Sequence, residues 1–169
     1  MARQFKPLVL LIVLLVPAAA RSGPAPPAQQ SPTAQSERIR QGVSHFERAF
    51  YELTPQKRDH EAAQEFDQAT AQFELELTRQ PSSAVAHAYL GRIYSIRKDY
   101  RQSAAHYDRL SDIEPLNVDA CVFAALAYGE LGDVAEARAR LISARLRTSD
   151  PDVLARLAEY MAKLDRLNR

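Results

Sequence analysis

The chain has 169 residues, and its 22 Lys and Arg residues nearly balance its 21 Asp and Glu residues, for a net charge of +1. Near-neutrality argues against general nucleic-acid binding, which needs excess positive charge to neutralise phosphates. A single cysteine, Cys121, excludes an intrachain disulfide, and the five glycines form no phosphate-binding loop. The composition therefore predicts neither a disulfide scaffold nor a nucleotide-dependent enzyme.

The first 20 residues have the three-part pattern of a secretory signal peptide. Arg3 and Lys6 precede nine apolar residues, 8–16, and the small-residue pattern Ala18-x-Ala20 follows. As a helix, nine residues span only about 14 Å, short of the ~30 Å hydrocarbon core of a bilayer. We therefore predict cleavage after Ala20, which changes the net charge from +1 to −1 by removing Arg3 and Lys6. The mature chain is then periplasmic or secreted; the alternative is an uncleaved segment that anchors it in the inner membrane.

Residues 21–36, RSGPAPPAQQSPTAQS, are rich in Pro, Ala, Gln and Ser. Such a segment has too little apolar surface to offset the entropy lost on ordering, so it is predicted to be a disordered linker. The remaining residues, 37–169, are enough for one domain with a continuous core.

A unit of about 34 residues occurs twice in this domain, over 84–117 and 118–151. A period of this length, with large and small apolar residues in a fixed order, indicates a solenoid of helix pairs. Gly132-Asp133 predicts a turn between two helices, since Gly tolerates the left-handed conformation and Asp caps the next helix. The residues equivalent at an offset of 34 are Leu90 and Ala124, Gly91 and Ala125, Tyr94 and Tyr128, Ser103 and Ala137, Tyr107 and Leu141, and Leu110 and Ala144.

A looser copy of the unit covers residues 43–80. The distance from Val43 to Ala84 exceeds the period by seven residues, or about two helical turns, which predicts a longer second helix ending near Arg79. After Pro151, residues 152–167 combine an apolar stripe with a charged face and predict a C-terminal capping helix.

These residues resemble the tetratricopeptide repeat. The resemblance rests on the pattern Tyr89-Leu90-Gly91, Tyr94, Asp99-Tyr100, Ser103, Tyr107, Leu110 and Pro115, and on its second copy through Ala124-Ala125, Tyr128, Gly132-Asp133 and Asp150-Pro151. It implies an all-α fold, a right-handed helical-hairpin solenoid of about three tetratricopeptide repeats plus a C-terminal capping helix. It also implies that the first helix of each pair lines a concave surface that binds a partner chain.

The same resemblance implies the residues of this partner-binding groove. Tyr89 and Arg92 share a helix face and have no evident core role, because Leu90, Gly91 and Tyr94 account for the packing side. The apolar residues on the third repeat either contact a partner or are covered by the capping helix. The full predicted set is Glu47, Arg48, Tyr51, Tyr89, Arg92, Val122, Phe123 and Leu126.

The sequence thus favours a non-catalytic interaction scaffold or adaptor of the bacterial cell envelope. Its expected partner is a protein or peptide segment with apolar anchors; we expect no cofactor, metal, nucleic acid or small-molecule substrate. One alternative is a self-assembling structural module that forms homo-oligomers. The other is an accessory subunit of an envelope enzyme, or a small hydrolase, with His106, Asp108 and Asp112 as catalytic candidates. The four histidines fall on different helices, which argues against a metal cluster: His45, His60, His87 and His106.

Overall fold

The computed structural model describes residues 37–167, which form seven α-helices and one π-helical segment and include no strand in that range. The predicted signal peptide, 1–20, and linker, 21–36, lie outside the described residues. The elements are α1 (Glu37–Glu47) with its π-helical continuation (Arg48–Leu53), α2 (Asp59–Arg79), α3 (Ala84–Ile96), α4 (Tyr100–Ile113), α5 (Val118–Glu130), α6 (Val134–Leu146) and α7 (Pro151–Leu167).

Successive helices pair as antiparallel hairpins: α1 with α2, α3 with α4, and α5 with α6, while α7 packs on α6. The chain is thus an all-α helical-repeat solenoid, as predicted. The predicted lengthening of the first repeat is also present, since α2 extends from Asp59 to Arg79. None of the helices within 37–167 is both long and apolar enough to cross a membrane.

The helices α3 to α6 each begin at a side chain that accepts a backbone hydrogen bond. An N-cap of this kind satisfies one of the amide groups that the first turn leaves without a partner. The oxygens of Ser83, Asp99, Asn117 and Asp133 accept from the amides of Ala86, Gln102, Ala120 and Glu136, respectively.

The turns within the three hairpins share one left-handed residue. Lys57, Lys98 and Gly132 have φ of 57°, 61° and 78°, and they are separated by the repeat offsets of 41 and 34 residues. A residue with a Cβ is strained in this region by about 1–2 kcal/mol. Only the third repeat relieves the strain with glycine.

We expect Lys98→Gly to raise the free energy of unfolding by about 0.5–1 kcal/mol, because relief of the strain exceeds the entropy that glycine gains in the unfolded chain. The reciprocal change, Gly132→Lys, should lower it by a similar amount. Urea unfolding curves measure both. Equal stabilities of Lys98→Gly and wild type would contradict the assignment of this turn.

The core consists of three clusters that run along the solenoid. The first joins α1, α2 and α3 around Phe46, Phe73 and Leu90. The second joins α4 and α5 around Tyr107 and Leu110. The third joins α5, α6 and α7 around Leu141 and Leu157, and it includes the buried Cys121.

The helices α3 and α4 cross closely at Gly91. The buried hydroxyl of Ser103 donates to the carbonyl of Gly91 at 2.9 Å, and the ring of Tyr107 covers the space where a side chain would begin. Small residues at the crossing allow this approach. The crossing holds the Tyr107 ring in place against α3.

Candidate functional site

A cleft of about 290 Å³ opens between α3 and α5, the first helices of the second and third repeats. The helix α4 forms its floor. The residues that line the cleft are Ala88, Tyr89 and Arg92 on α3, Tyr107 and Leu110 on α4, Asn117 at the cap of α5, and Asp119, Ala120 and Phe123 on α5. Three predicted groove residues, Tyr89, Arg92 and Phe123, therefore lie around one cavity.

The floor of the cleft is aromatic. Tyr107 is buried and its ring stacks on Phe123, with 5.1 Å between the ring centroids and 29° between the planes. Burial raises the pKa of the Tyr107 phenol far above its ordinary value, and the charge of Arg92 opposes this shift only in part. Tyr107 therefore stays neutral at physiological pH and supplies a ring and a hydroxyl to the cleft.

The cleft carries two charged side chains, Arg92 on α3 and Asp119 on α5. Within residues 37–167, neither Arg92 nor Asp119 has an ion-pair partner. The guanidinium of Arg92 lies over the Phe46 ring, 5.7 Å from its centroid. A cation–π contact orients the guanidinium and leaves its N–H donors available.

Tyr89 has a structural role that the sequence analysis missed. Its ring stacks on Phe73, with centroids 5.0 Å apart and planes 13° apart, and meets the edge of Phe46 at 5.0 Å and 73°. The prediction that Tyr89 lacks a core role is wrong, because both partners come from the preceding repeat. Tyr89 is half-buried: its ring seals the first core cluster while it also lines the cleft.

The predicted residues of the first repeat lie beside the cleft. Glu47 and Tyr51 are exposed, and they are near enough to Tyr89 to contribute, after burial itself, to raising the pKa of its phenol. Arg48 forms an ion pair with Glu65 at 2.8 Å and is therefore already partnered. Tyr51 is 61% exposed and contacts Phe50 edge-to-face.

The three apolar residues of α5 have different surroundings. Val122 packs against the third core cluster, which α5, α6 and α7 form together. Phe123 packs against the α4 cluster and lines the cleft. Leu126 is half-buried on the same helix.

The proposed catalytic residues do not converge. His106 hydrogen-bonds to His87. Asp108 accepts from Arg140 at 2.6 Å and from the hydroxyl of Tyr128 at 2.8 Å. Asp112 lies 3.8 Å from Arg109. Each group is engaged in its own structural contact, which leaves no nucleophile–base pair among them.

The structure brings together two histidines that the sequence analysis treated as scattered. Nδ1 of His87 lies 3.0 Å from Nδ1 of His106, and Nε2 of His87 lies 3.0 Å from the carbonyl of Pro81. Since a carbonyl only accepts, His87 donates through Nε2 and accepts at Nδ1, so His106 donates through Nδ1. Within 37–167 no group of three or more His, Cys, Asp or Glu side chains could hold a metal ion.

We expect this histidine pair to make stability depend on pH. Burial, followed by the proximity of His87, lowers the pKa of His106 from 6.5 to about 4. The unfolded chain therefore binds more protons between these values, and the folded state loses stability as pH falls from 7 to 5. After allowance for the partial exposure of His106, the loss is about 1 kcal/mol.

Urea unfolding at pH 7 and pH 5 measures this dependence. His106→Phe should reduce the pH slope, whereas the control His60→Phe, at an exposed position on α2, should leave it as in wild type. Equal slopes in wild type and His106→Phe would contradict the assignment.

The floor of the cleft was not predicted from the sequence. Tyr107 and Leu110 were assigned to packing within the repeat, and both do pack there, yet they also line the cavity. Asn117 was not singled out. The sequence signal for Asn117 was its position directly before α5, because the N-cap residue of this helix also lines the cleft.

No protein-family model and no curated protein sequence matches this chain. Several solved structures, however, match it. The N-terminal domain of stress-induced protein-1 from C. elegans matches with a TM-score of 0.54 at 13% identity, over 80% of this chain and all of that one. The C-terminal TPR-containing domain of an FK506-binding protein from Plasmodium falciparum matches with a TM-score of 0.48 at 18% identity, over 77% of this chain and 94% of that one. The likeness to the C. elegans domain shows that the chain has the tetratricopeptide-repeat fold.

Proposed function

We propose that this protein is a non-catalytic adaptor of the bacterial cell envelope that holds a segment of a partner protein in the cleft between α3 and α5. The observation that carries the proposal is Arg92, a cation without an ion-pair partner within residues 37–167, beside the rings of Tyr89, Tyr107 and Phe123 in a preformed cleft. Aromatic residues and arginine supply most of the binding free energy at protein interfaces. A rigid scaffold also keeps the entropic cost of binding low.

Site-specific photo-crosslinking in the native host tests which face of the protein contacts its partner. The photoreactive amino acid p-benzoylphenylalanine is placed at Val85, at the start of α3, or at Ile142, on α6. These two apolar positions have similar exposure, 38% and 44%. We expect adducts with another protein from Val85 and not from Ile142. Adducts from Ile142 alone would contradict the proposal, and adducts between two copies of the chain would favour the self-assembling alternative.

The envelope location is part of the same proposal and rests on the N-terminal pattern of residues 1–20. We expect the protein to be recovered outside the cytoplasm with Arg21 as its first residue. N-terminal sequencing of the exported protein decides this. Recovery of intact residues 1–20 in the membrane fraction would instead support the inner-membrane anchor.

A further inference from the structure

We infer that the α3–α5 cleft selects an extended peptide segment in which a basic residue and an acidic residue flank an apolar one. The inference rests on the proposed function and specifies its partner. It follows from the order in which the cleft presents a carboxylate, an aromatic patch and a guanidinium.

The repeat geometry gives that order. The helices α3 and α5 are equivalent at an offset of 34, so Asp119 occupies the repeat position of Val85, and Phe123 occupies that of Tyr89. Arg92 follows three residues after Tyr89 on the same helix. Along the helix axis, Asp119 and Arg92 are therefore seven residues, or about 10 Å, apart. The aromatic rings lie between the two charges.

Both charged groups are available for a ligand. Neither has an ion-pair partner within residues 37–167. Asp119 is exposed in the first turn of α5, within reach of a ligand in the cleft that it lines. Arg92 is half-buried over Phe46, so its attraction for an acidic group is less screened than at an open surface.

The size of the cleft favours an extended ligand. The cleft, about 290 Å³ in volume, has room for a few side chains, whereas a helix about 10 Å wide would lie across its mouth. An extended chain advances about 3.3 Å per residue, so it bridges the two charges with side chains about three residues apart. The apolar side chain between them contacts Tyr89, Tyr107 and Phe123.

Selection of phage-displayed random dodecapeptides on the full chain tests the inference. We expect the selected peptides to share a Lys or Arg, an apolar residue and an Asp or Glu in close succession. Synthetic versions of them should lose about tenfold or more in affinity on Arg92→Glu, measured by fluorescence anisotropy. Selection repeated on Arg92→Glu should replace the acidic residue by a basic one, and selection on Asp119→Lys should replace the basic residue by an acidic one.

Two control variants separate the cleft from general charge effects. Asp152→Lys reverses a carboxylate at the second position of α7, as Asp119→Lys does on α5, and Arg101→Glu reverses an exposed cation on α4. Neither residue lines this cleft, so both variants should select the same peptides as wild type.

The outcomes distinguish the two proposals. Peptides that bind in the cleft but whose charges do not respond to the Arg92 and Asp119 reversals would overturn the inference and leave the proposed function standing. Failure to enrich any peptide over a blank surface, together with no crosslink from Val85, would overturn both. Binding lost equally in the control variants would also overturn the inference, since general charge would then explain it.

Discussion

Replacing Phe73 by alanine should lower the free energy of unfolding by about 3–5 kcal/mol, the range for truncating a buried phenylalanine. The side chain is fully buried on α2 and stacks on Tyr89. It also lies against Gly42 of α1, where an added Cβ would come within 2.8 Å of the ring. The ring thus joins the first repeat to the second, and its loss leaves a cavity at the junction of three helices. Urea unfolding measures the change.

Leu75→Ala is the matched control for Phe73→Ala. Leu75 lies two residues further along α2 and is 47% exposed, so its truncation should change stability by less than about 1 kcal/mol. A loss of stability from Leu75→Ala as large as that from Phe73→Ala would contradict the packing described here.

Replacing Gly91 by leucine should destabilise the fold by about 1–3 kcal/mol or more through overpacking. A Cβ at this position would lie 2.9 Å from Cζ of Tyr107, and the buried ring cannot move away without disturbing Phe123. Even Gly91→Ala should cost stability, although alanine is the better helix former. Thermal or urea unfolding of the two variants measures the effect.

Gly129→Ala is the matched control, for which we expect the opposite effect on stability. An added Cβ at this position is 3.7 Å from its nearest neighbour, Cδ2 of Leu164, which is an ordinary contact. The change should therefore stabilise the protein by up to about 1 kcal/mol through helix propensity. If Gly91→Ala stabilised as much as Gly129→Ala, the close crossing of α3 and α4 would be wrong.

The repeat period also explains how the junctions between repeats are held together. In the third repeat the hydroxyl of Tyr128 donates to Asp108, and Arg140 lies 5.5 Å from the Tyr128 ring centroid. At an offset of 34 the second repeat has the equivalent set: Tyr94 donates to Glu74 at 3.1 Å, and His106 stacks on the Tyr94 ring at 5.5 Å. The tyrosine donates to a carboxylate at both junctions. The group beside its ring is the cation Arg140 at one junction and the neutral ring of His106 at the other. Because His106 stands where the other junction has Arg140, the stability of the junction at Tyr94 depends on pH.

The sequence by itself determined the helix pairs, because the signals for them are local or periodic. Gly132-Asp133 predicted the turn and the cap before α6, and the offset of 34 specified which residues are equivalent. The surplus of seven residues in the first copy predicted the end of α2 at Arg79. Helical periodicity and capping depend on neighbours a few residues away, so one sequence suffices to recognise them.

Only the tertiary structure decided which faces remain available. Tyr89 was expected to have no core role, but its ring stacks on Phe73 and meets the edge of Phe46. His87 contacts His106 across a hairpin. These contacts join residues 16 to 43 positions apart, and they depend on the crossing of helices and on side-chain rotamers. Periodicity indicates that a residue faces a neighbouring helix, but the shape of that helix decides which side chains the residue contacts. The cleft and its two unpaired charges therefore emerged only once α3, α4 and α5 were placed against one another.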